Sequence, residues 1–379
     1  MRVFVTGLGA VSCLGEDIAA HRRAFREGRS GIRALAVFRP DLPTHAWGGA
    51  VESVPHDAAP RAPAFLGRAI GDAFRDAGLG QLDNTPVFLG SAHGNLDSWQ
   101  RHRRGDGEAR GLWDMQGDAL ADCIDGPRIT MVSTACTASS VAAGLALALL
   151  KSGRTEVAVV AGVEILTPFL YRGFESLRSL AAENCQPFDR RRAGLTLGEG
   201  AAAIVLENAS HARRRGAVPL AEFAGYGFAA DATYLTAPDP TGTGAVRALK
   251  KALEQAGLRE LPGFINTHGT GTRLNDHMEC FALHRTFGAD AGKIALTSTK
   301  PLTGHMCGAA GAMEFVSTVI GLEANSVPPI LGFEEADADF THLDFVSGSA
   351  RSLSCCAAIS MNSGFGGTNT AIVLHKGAP

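Results

Sequence analysis

Four side chains in this sequence could share one piece of chemistry: Cys136, His268, Lys300 and His305. Cys136 stands where a β-branched run (Ile129, Thr130, Val132, Thr134) gives way to small, helix-compatible residues, which puts it at the start of a helix. Unpaired backbone N–H groups and the positive end of the helix dipole favour thiolate over thiol there. The same N–H groups can stabilise an oxyanion on a thioester carbonyl. Ala135, Ala138, Ser139 and Ser140 leave room beside the sulfur for a long substrate. Against this stands the commoner fate of a lone cysteine, burial in a core. His268 opens H-G-T-G-T (268–272), whose glycines free the backbone and whose hydroxyls can grip a polar chain. Lys300 and His305 lie across a Pro-Gly turn, so both can point inward. A thiolate, two imidazoles and an ammonium in one cleft suit thioester chemistry. The cysteine takes an acyl group, and neutral imidazoles donate N–H bonds to a second thioester carbonyl as it becomes an enolate. The lysine opposes protonation of the histidines. No Asp or Glu adjoins either histidine in sequence, but Glu279 or Asp276 could fold back onto Lys300.

The elements that must position these groups read as a duplication. Strand then Gly-x-Gly occurs at 3–9 and at 221–227, and a helix ending in Ala-Gly-Leu at 77–79 and 256–258. Strand then His-Gly occurs at 93–94 and 268–269, and the Cys136 stretch is echoed by 297–315. The strand ending at Gly162 is echoed by 357–363, and strand 201–206 by 370–374. Echoes in one order at long period predict two alternating β/α halves, 1–212 and 213–379, facing a shared crevice. Gly7 and Gly9 also hint at a dinucleotide fingerprint, but the third glycine, Gly15, falls at the wrong spacing.

Composition narrows the class. With 379 residues, 45% hydrophobic and 19% charged, the chain has the make-up of a soluble globular protein with ample core. A net charge of −3 gives no reason to expect nucleic acid or an acidic membrane as partner. The eight cysteines show no C-x-x-C spacing, which predicts reduced thiols in a cytoplasmic protein, and cysteines and histidines form no close ligand pairs for a metal. No apolar stretch is long enough for a transmembrane helix.

Six segments then carry a resemblance: V-F-V-T-G-L-G-A-V-S-C-L-G (3–15), S-T-A-C-T-A-S (133–139), P-F-D-R-R-R-A-G-L-T-L-G-E-G-A (187–201), T-H-G-T-G-T-R-L-N-D (267–276), S-T-K-P-L-T-G-H with G-A-A-G-A (298–312) and G-F-G-G-T-N (364–369). Together they resemble the elongating β-ketoacyl-acyl-carrier-protein synthases of the thiolase superfamily, nearly end to end. The resemblance implies a thiolase-like duplicated α/β fold, with two mixed, mostly parallel sheets layered α-β-α-β-α. It implies Cys136 as nucleophile, His268 and His305 as the decarboxylation pair, Lys300 as the active-site lysine and Glu279 as the acid supporting it, with Asp276 beside it. Thr270 and Thr272 match the hydroxyls that hold phosphopantetheine. Phe365 matches the gating aromatic, whose backbone N–H joins that of Cys136 in the oxyanion hole.

The implied reaction is decarboxylative Claisen condensation of an acyl group on Cys136 with malonyl-carrier protein, in fatty-acid or polyketide synthesis. No cofactor or metal is implied beyond the phosphopantetheine of the carrier. The implied partners are an acyl carrier protein and a second ketosynthase, in a homodimer or heterodimer through residues 128–134. Two rivals are a non-elongating partner subunit and a CoA-dependent thiolase, the latter suggested by Cys307. Two departures stand out. The family's usual N-S-F-G-F-G-G-T-N is one residue short here (362–369), and the stretch from 95 to 126 is short and charged.

Overall fold

The computed structural model describes all residues except 36–45, 56–59, 106–110, 116–117 and 378–379. Part of the charged stretch between 95 and 126 therefore lies outside the described residues. Eleven strands form one hydrogen-bonded order. In chain order they are β1 (Val3–Val11), β2 (Pro86–Gly90), β3 (Arg128–Val132), β4 (Val157–Glu164), β5 (Gly200–Asn208), β6 (Ala221–Ala230), β7 (Phe264–Asn266), β8 (Ala295–Thr297), β9 (Asp344–Phe345), β10 (Ala357–Gly364) and β11 (Thr368–Lys376). The helices that matter to the site are α1 (Arg61–Ala77), α2 (Ala138–Lys151), α3 (Pro168–Ser176), α4 (Thr243–Ala256), α5 (Arg273–Phe287) and α6 (Ala310–Ala324).

The duplication is visible in the strand order. Outward from the centre the first half runs β1-β5-β4-β2-β3, and the second β6-β11-β10-β7-β8, with β9 added at its edge. Both halves thus repeat one permutation of their five strands. The halves meet through β1 and β6 at only two residue pairs, Phe4 with Glu222 and Val5 with Ala221. Between them lie α2 and α6. Helix α6 is buried on every face from Ala310 to Leu322, as a helix apolar all round must be. It packs on β4 and β5 of one half and on β10 and β11 of the other. Helix α1 covers the outer face of the first half and α4 that of the second, which completes the α-β-α-β-α layering.

Strand direction departs from the mostly parallel expectation. Strands β2, β3 and β4 are parallel, as are β7, β8, β9 and β10, but β1, β5, β6 and β11 pair antiparallel with their neighbours. The reason is local between β10 and β11: only Phe365–Gly367 join them, since Gly364 pairs with Thr368. A link that short cannot make a parallel crossover.

The Gly-x-Gly pairs also have a structural cause. A Cβ on Gly7 or Gly9 would lie 2.2 Å or 1.9 Å from a carbonyl oxygen of α1. One on Gly225 or Gly227 would lie 2.1 Å or 1.8 Å from a carbonyl of α4. They let a helix cross the first strand of each half closely. Packing, and not a dinucleotide fingerprint, accounts for the paired glycines. Among the described residues, no helix is long and apolar enough to cross a membrane.

Candidate active site

The third strand of each half ends at the crevice and delivers a reactive group just before a central helix. In the first half the chain leaves β3, and Ala135 adopts a left-handed backbone (φ 52°). A non-glycine residue there is uncommon and strained, and it turns the chain so that Cys136 faces the crevice ahead of α2. In the second half the segment after β8 carries Lys300 and His305 into the same space. His305 is anchored through its backbone: its N–H donates to the Thr196 carbonyl at 2.7 Å, and its carbonyl accepts from Gly198 N–H at 3.0 Å.

The result brings the four expected side chains together. Cys136 Sγ lies 3.0 Å from His305 Nε2. The His305 and His268 rings are perpendicular, with centroids 5.2 Å apart. Lys300 Nζ donates to His268 Nδ1 at 3.2 Å, to the His268 carbonyl, and to Glu314. All are buried. Because Lys300 can only donate, Nδ1 of His268 accepts, and the ring hydrogen sits on Nε2. Burial, and then the Lys300 charge, hold both imidazoles well below their ordinary range, so both are neutral.

Cys136 does not behave as its helix position suggests. Burial pushes its thiol up to about 12, against the Lys300 charge and a hydrogen bond from the Phe365 backbone N–H. Cys136 therefore rests as a thiol, because desolvation of a thiolate outweighs the dipole. Phe365 lines the cavity beside Cys136. Its N–H reaches Cys136, and its ring stacks on Phe174 of α3 at 5.9 Å. The outer residues of its turn are tied to the 231–235 loop: Gly366 N–H donates to Leu235, and the Gly367 carbonyl accepts from Asp231 N–H.

The two expected supporting acids have a different task. Glu279 accepts from the backbone N–H groups of His268 and Gly269, both at 2.7 Å. Asp276 accepts from Phe188 N–H at 2.8 Å and Gly271 N–H at 3.2 Å. Both lie near the start of α5 and hold the 268–272 loop in shape. Burial raises Asp276 to about 6, and burial with the Asp276 charge raises Glu279 to about 8. The carboxylate paired with Lys300 is Glu314 of α6, which the sequence reading did not assign. Its signal was an acidic residue early in a mostly apolar helix, with Glu323 the other acid near the helix end.

A cavity of about 400 Å³ runs from the surface to Cys136. Thr270 and Thr272 line it and hydrogen bond each other at 2.9 Å. Phe174, Leu195 and Phe365 form its apolar wall. Cys307 packs among Leu170, Leu195 and Leu197, and the group hydrogen-bonded to Cys136 is His305.

The model of the β-ketoacyl synthase N-terminal domain matches residues 1–212, and that of the C-terminal domain residues 220–334. A 3-oxoacyl-[acyl-carrier-protein] synthase 2 of Coxiella burnetii is 32% identical over 99% of this chain and 98% of its own. The tetracenomycin polyketide synthase ketoacyl synthase alpha subunit of Streptomyces glaucescens is 31% identical over 99% and 97%. Among solved structures, a chain of the ishigamide ketosynthase/chain length factor superposes with a TM-score of 0.87 at 27% identity, covering 100% of this chain and 99% of that one. The two sequence alignments run over 428 and 415 positions against 379 residues here, so those relatives carry segments this chain lacks.

Proposed function

The chain belongs to the β-ketoacyl synthase family, and from that premise we propose how its residues divide a decarboxylative Claisen condensation. The observation that carries the reading is Cys136 Sγ at 3.0 Å from His305 Nε2, with His268 beside it and Lys300 behind. An acyl thioester enters along the cavity, its pantetheine arm against Thr270 and Thr272. His305 takes the thiol proton as Cys136 attacks the acyl carbon, then passes it to the departing pantetheine sulfur. The carbonyl oxygen charges up toward the N–H groups of Cys136 and Phe365. Acylated Cys136 has no proton to offer, and once the ring hydrogen of His305 moves from Nδ1 to Nε2 by exchange with solvent, Nε2–H becomes a donor beside His268. A malonyl thioester then places its carbonyl oxygen against both N–H groups. CO2 leaves, the enolate forms, and its carbon attacks the acyl-enzyme carbonyl. The C–S bond breaks and the product is a 3-oxoacyl thioester on the carrier.

The enzyme is a 3-oxoacyl-acyl-carrier-protein synthase acting in fatty-acid or polyketide synthesis, and acyl carrier protein is its substrate-bearing partner. It uses no metal or cofactor of its own in this reading. Its second partner is a related ketosynthase chain, docked along β3. Among the described residues that strand pairs with β2 on one side only, and Arg128 and Thr130 are exposed on it. An open edge invites a further strand. The boundary between the halves falls at 212/213, and we place the protein in the cytoplasm, in keeping with eight free cysteines. The test is to purify the chain alone and with co-expressed ketosynthase partners, weigh the particles in solution, and supply acyl- and malonyl-carrier protein. A dimer that forms the 3-oxoacyl product and carries the acyl mass on Cys136 is expected. Cys136→Ala should lose condensation on the order of 10⁴-fold or more, and a fully active monomer or an active Cys136→Ala would overturn the reading.

A further inference from the structure

Behind Lys300 the polar groups form a line that runs back to the nucleophile's own helix. Asn362, near the end of β10, is 1% exposed and its amide is used on both sides. Its Nδ2–H donates to Glu314 Oε2, and its Oδ1 accepts from Ser140 Oγ at 2.6 Å. Ser140 lies in the first turn of α2, four residues past Cys136. The other oxygen of Glu314 accepts from Lys300, and Lys300 donates to His268. Ser140, Asn362, Glu314, Lys300 and His268 are therefore one continuous hydrogen-bonded chain from α2 to the decarboxylating histidine. Asn362 is the one interior link that does not titrate, and its two ends differ in sense. Its oxygen must face Ser140 and its nitrogen must face the carboxylate.

We infer that Asn362 is a positioning residue of the condensation: its Nδ2–H holds Glu314 as a carboxylate turned to Lys300, and so keeps His268 a neutral Nε2–H donor. This rests on the condensing reading above. The physics is a balance that Asn362 tips. Burial alone pushes Glu314 up, to about 7, even though the Lys300 charge, the Lys300 hydrogen bond and the Asn362 hydrogen bond all pull it down. A protonated Glu314 would release Lys300, and the hydrogen bond that fixes the His268 tautomer would lose its anchor. The titratable groups that interact with Glu314 are Lys300 and, more remotely, Cys136. From β10 it is faced by Asn362, with Ser140 of α2 behind that amide, while His268 and its backbone partner Glu279 lie beyond Lys300.

The test separates release of CO2 from malonyl-carrier protein and acylation of Cys136, each followed from pH 5.5 to 9. In the wild type, CO2 release should fall on the acid side as Glu314 gains its proton near pH 7, and acylation should not follow it. Asn362→Asp keeps the shape and the acceptor for Ser140 but replaces the donor to Glu314 with oxygen. Its acid limb should move up by about one pH unit or more, with CO2 release at pH 7 lower by about tenfold. Acylation of Cys136 should change by less than about threefold, and Ser140→Ala should leave the acid limb in place. A purely structural Asn362 would make both steps fall together or leave the limb of Asn362→Asp unmoved, and either result overturns the inference. A wild-type profile flat from pH 6 to 8 overturns it even if no variant folds. The condensing reading fails separately, if the wild type neither acylates Cys136 nor forms 3-oxoacyl product.

Discussion

His93 and His268 close the second strand of each half at matching places, each at the head of a His-Gly pair, yet their surroundings are opposite. His93 sits against Glu164, which accepts from its backbone N–H at 3.1 Å and from Nδ1 at 3.2 Å. Burial works against a charge on His93, but the hydrogen bond and charge of Glu164 outweigh it, and its imidazole moves up. His268 has its backbone N–H on Glu279 in the same manner. Its ring, however, meets Lys300, and burial and that charge together push it down. One fold thus makes the same residue an ion-pairing group in one half and a neutral donor in the other. Deeper burial of His268 and then the opposite charge of the neighbour at Nδ1 decide between them, because backbone placement is shared and the ring's surroundings are not.

The comparison breaks most visibly at the neutral donor. Substituting His268 by Ala removes the N–H aimed at the developing enolate, and CO2 release should fall on the order of 100- to 1000-fold. Acylation of Cys136, which uses His305, should fall far less. Stopped-time trapping of the acyl-enzyme beside CO2 measurement checks this, and equal losses in both steps would contradict the division of labour. Lys300→Met should have a smaller effect, about 10-fold at neutral pH. It makes the second half more like the first by removing the cation. The sign follows from the direction of the shifts: with Lys300 gone, His268 and His305 titrate closer to their ordinary range. The limb near pH 7 that Glu314 sets through Lys300 should then disappear, and CO2 release should fall instead where the still-buried histidines themselves gain a proton, at or below their ordinary range. A pH–rate profile with an unchanged acid limb would show that Lys300 does not set the histidines' charge.

Cys136 sharpens the same contrast between what a position suggests and what its surroundings impose. With its thiol raised to about 12 by burial, alkylation of the Cys136 peptide by iodoacetamide should rise about tenfold per pH unit between pH 7 and 9. Peptide-resolved mass spectrometry keeps exposed Cys356 apart from it. A plateau by pH 8 would mean that the helix N-terminus, not desolvation, controls the sulfur.

How much of this could be read from the sequence depends on how far each cause lies from its effect. The layers were legible because the strand and helix signals repeat in order, and Cys136, His268, Lys300 and His305 because each sits in a compact motif. The Gly-x-Gly pairs were visible as residues, but their reason, a helix crossing within 2.2 Å of a built Cβ, belongs to packing. The Lys300 partner was missed because Glu314 belongs to a different helix. Asp276 and Glu279 lie nearer His268 in the chain, but they are three apart on α5 and so share a face that turns onto the 268–272 backbone. The thiolate expectation failed for the same reason. A dipole is local and can be read from a helix start, whereas burial of Cys136 is the sum of everything folded over it. Strand direction near β10 was legible in principle, since three linking residues cannot cross a sheet.

The smallest effect is expected at His93, and it tests whether the first-half histidine has any part in the chemistry. His93→Gln should leave condensation within about twofold, because His93 is not among the residues that line the cavity at Cys136. Its contribution is to stability, and the sign is set by its raised pKa. A histidine whose folded pKa lies above its unfolded value stabilises fully below the unfolded pKa, and that stability is lost as pH rises through the folded one. The substitution should therefore lower the melting temperature more at pH 5.5 than at pH 8.5. The side chain is 28% exposed, and Glu164 keeps the N–H groups of Ala92 and Gly308, both at 2.9 Å, after the ring is gone. The difference should accordingly be modest, about 1 to 2 °C. Thermal unfolding of both proteins at the two pH values decides it. If the loss were equal at both, the His93–Glu164 contact would be packing without charge. If condensation itself collapsed, the two histidines would be functional equivalents and the contrast between the halves would be wrong.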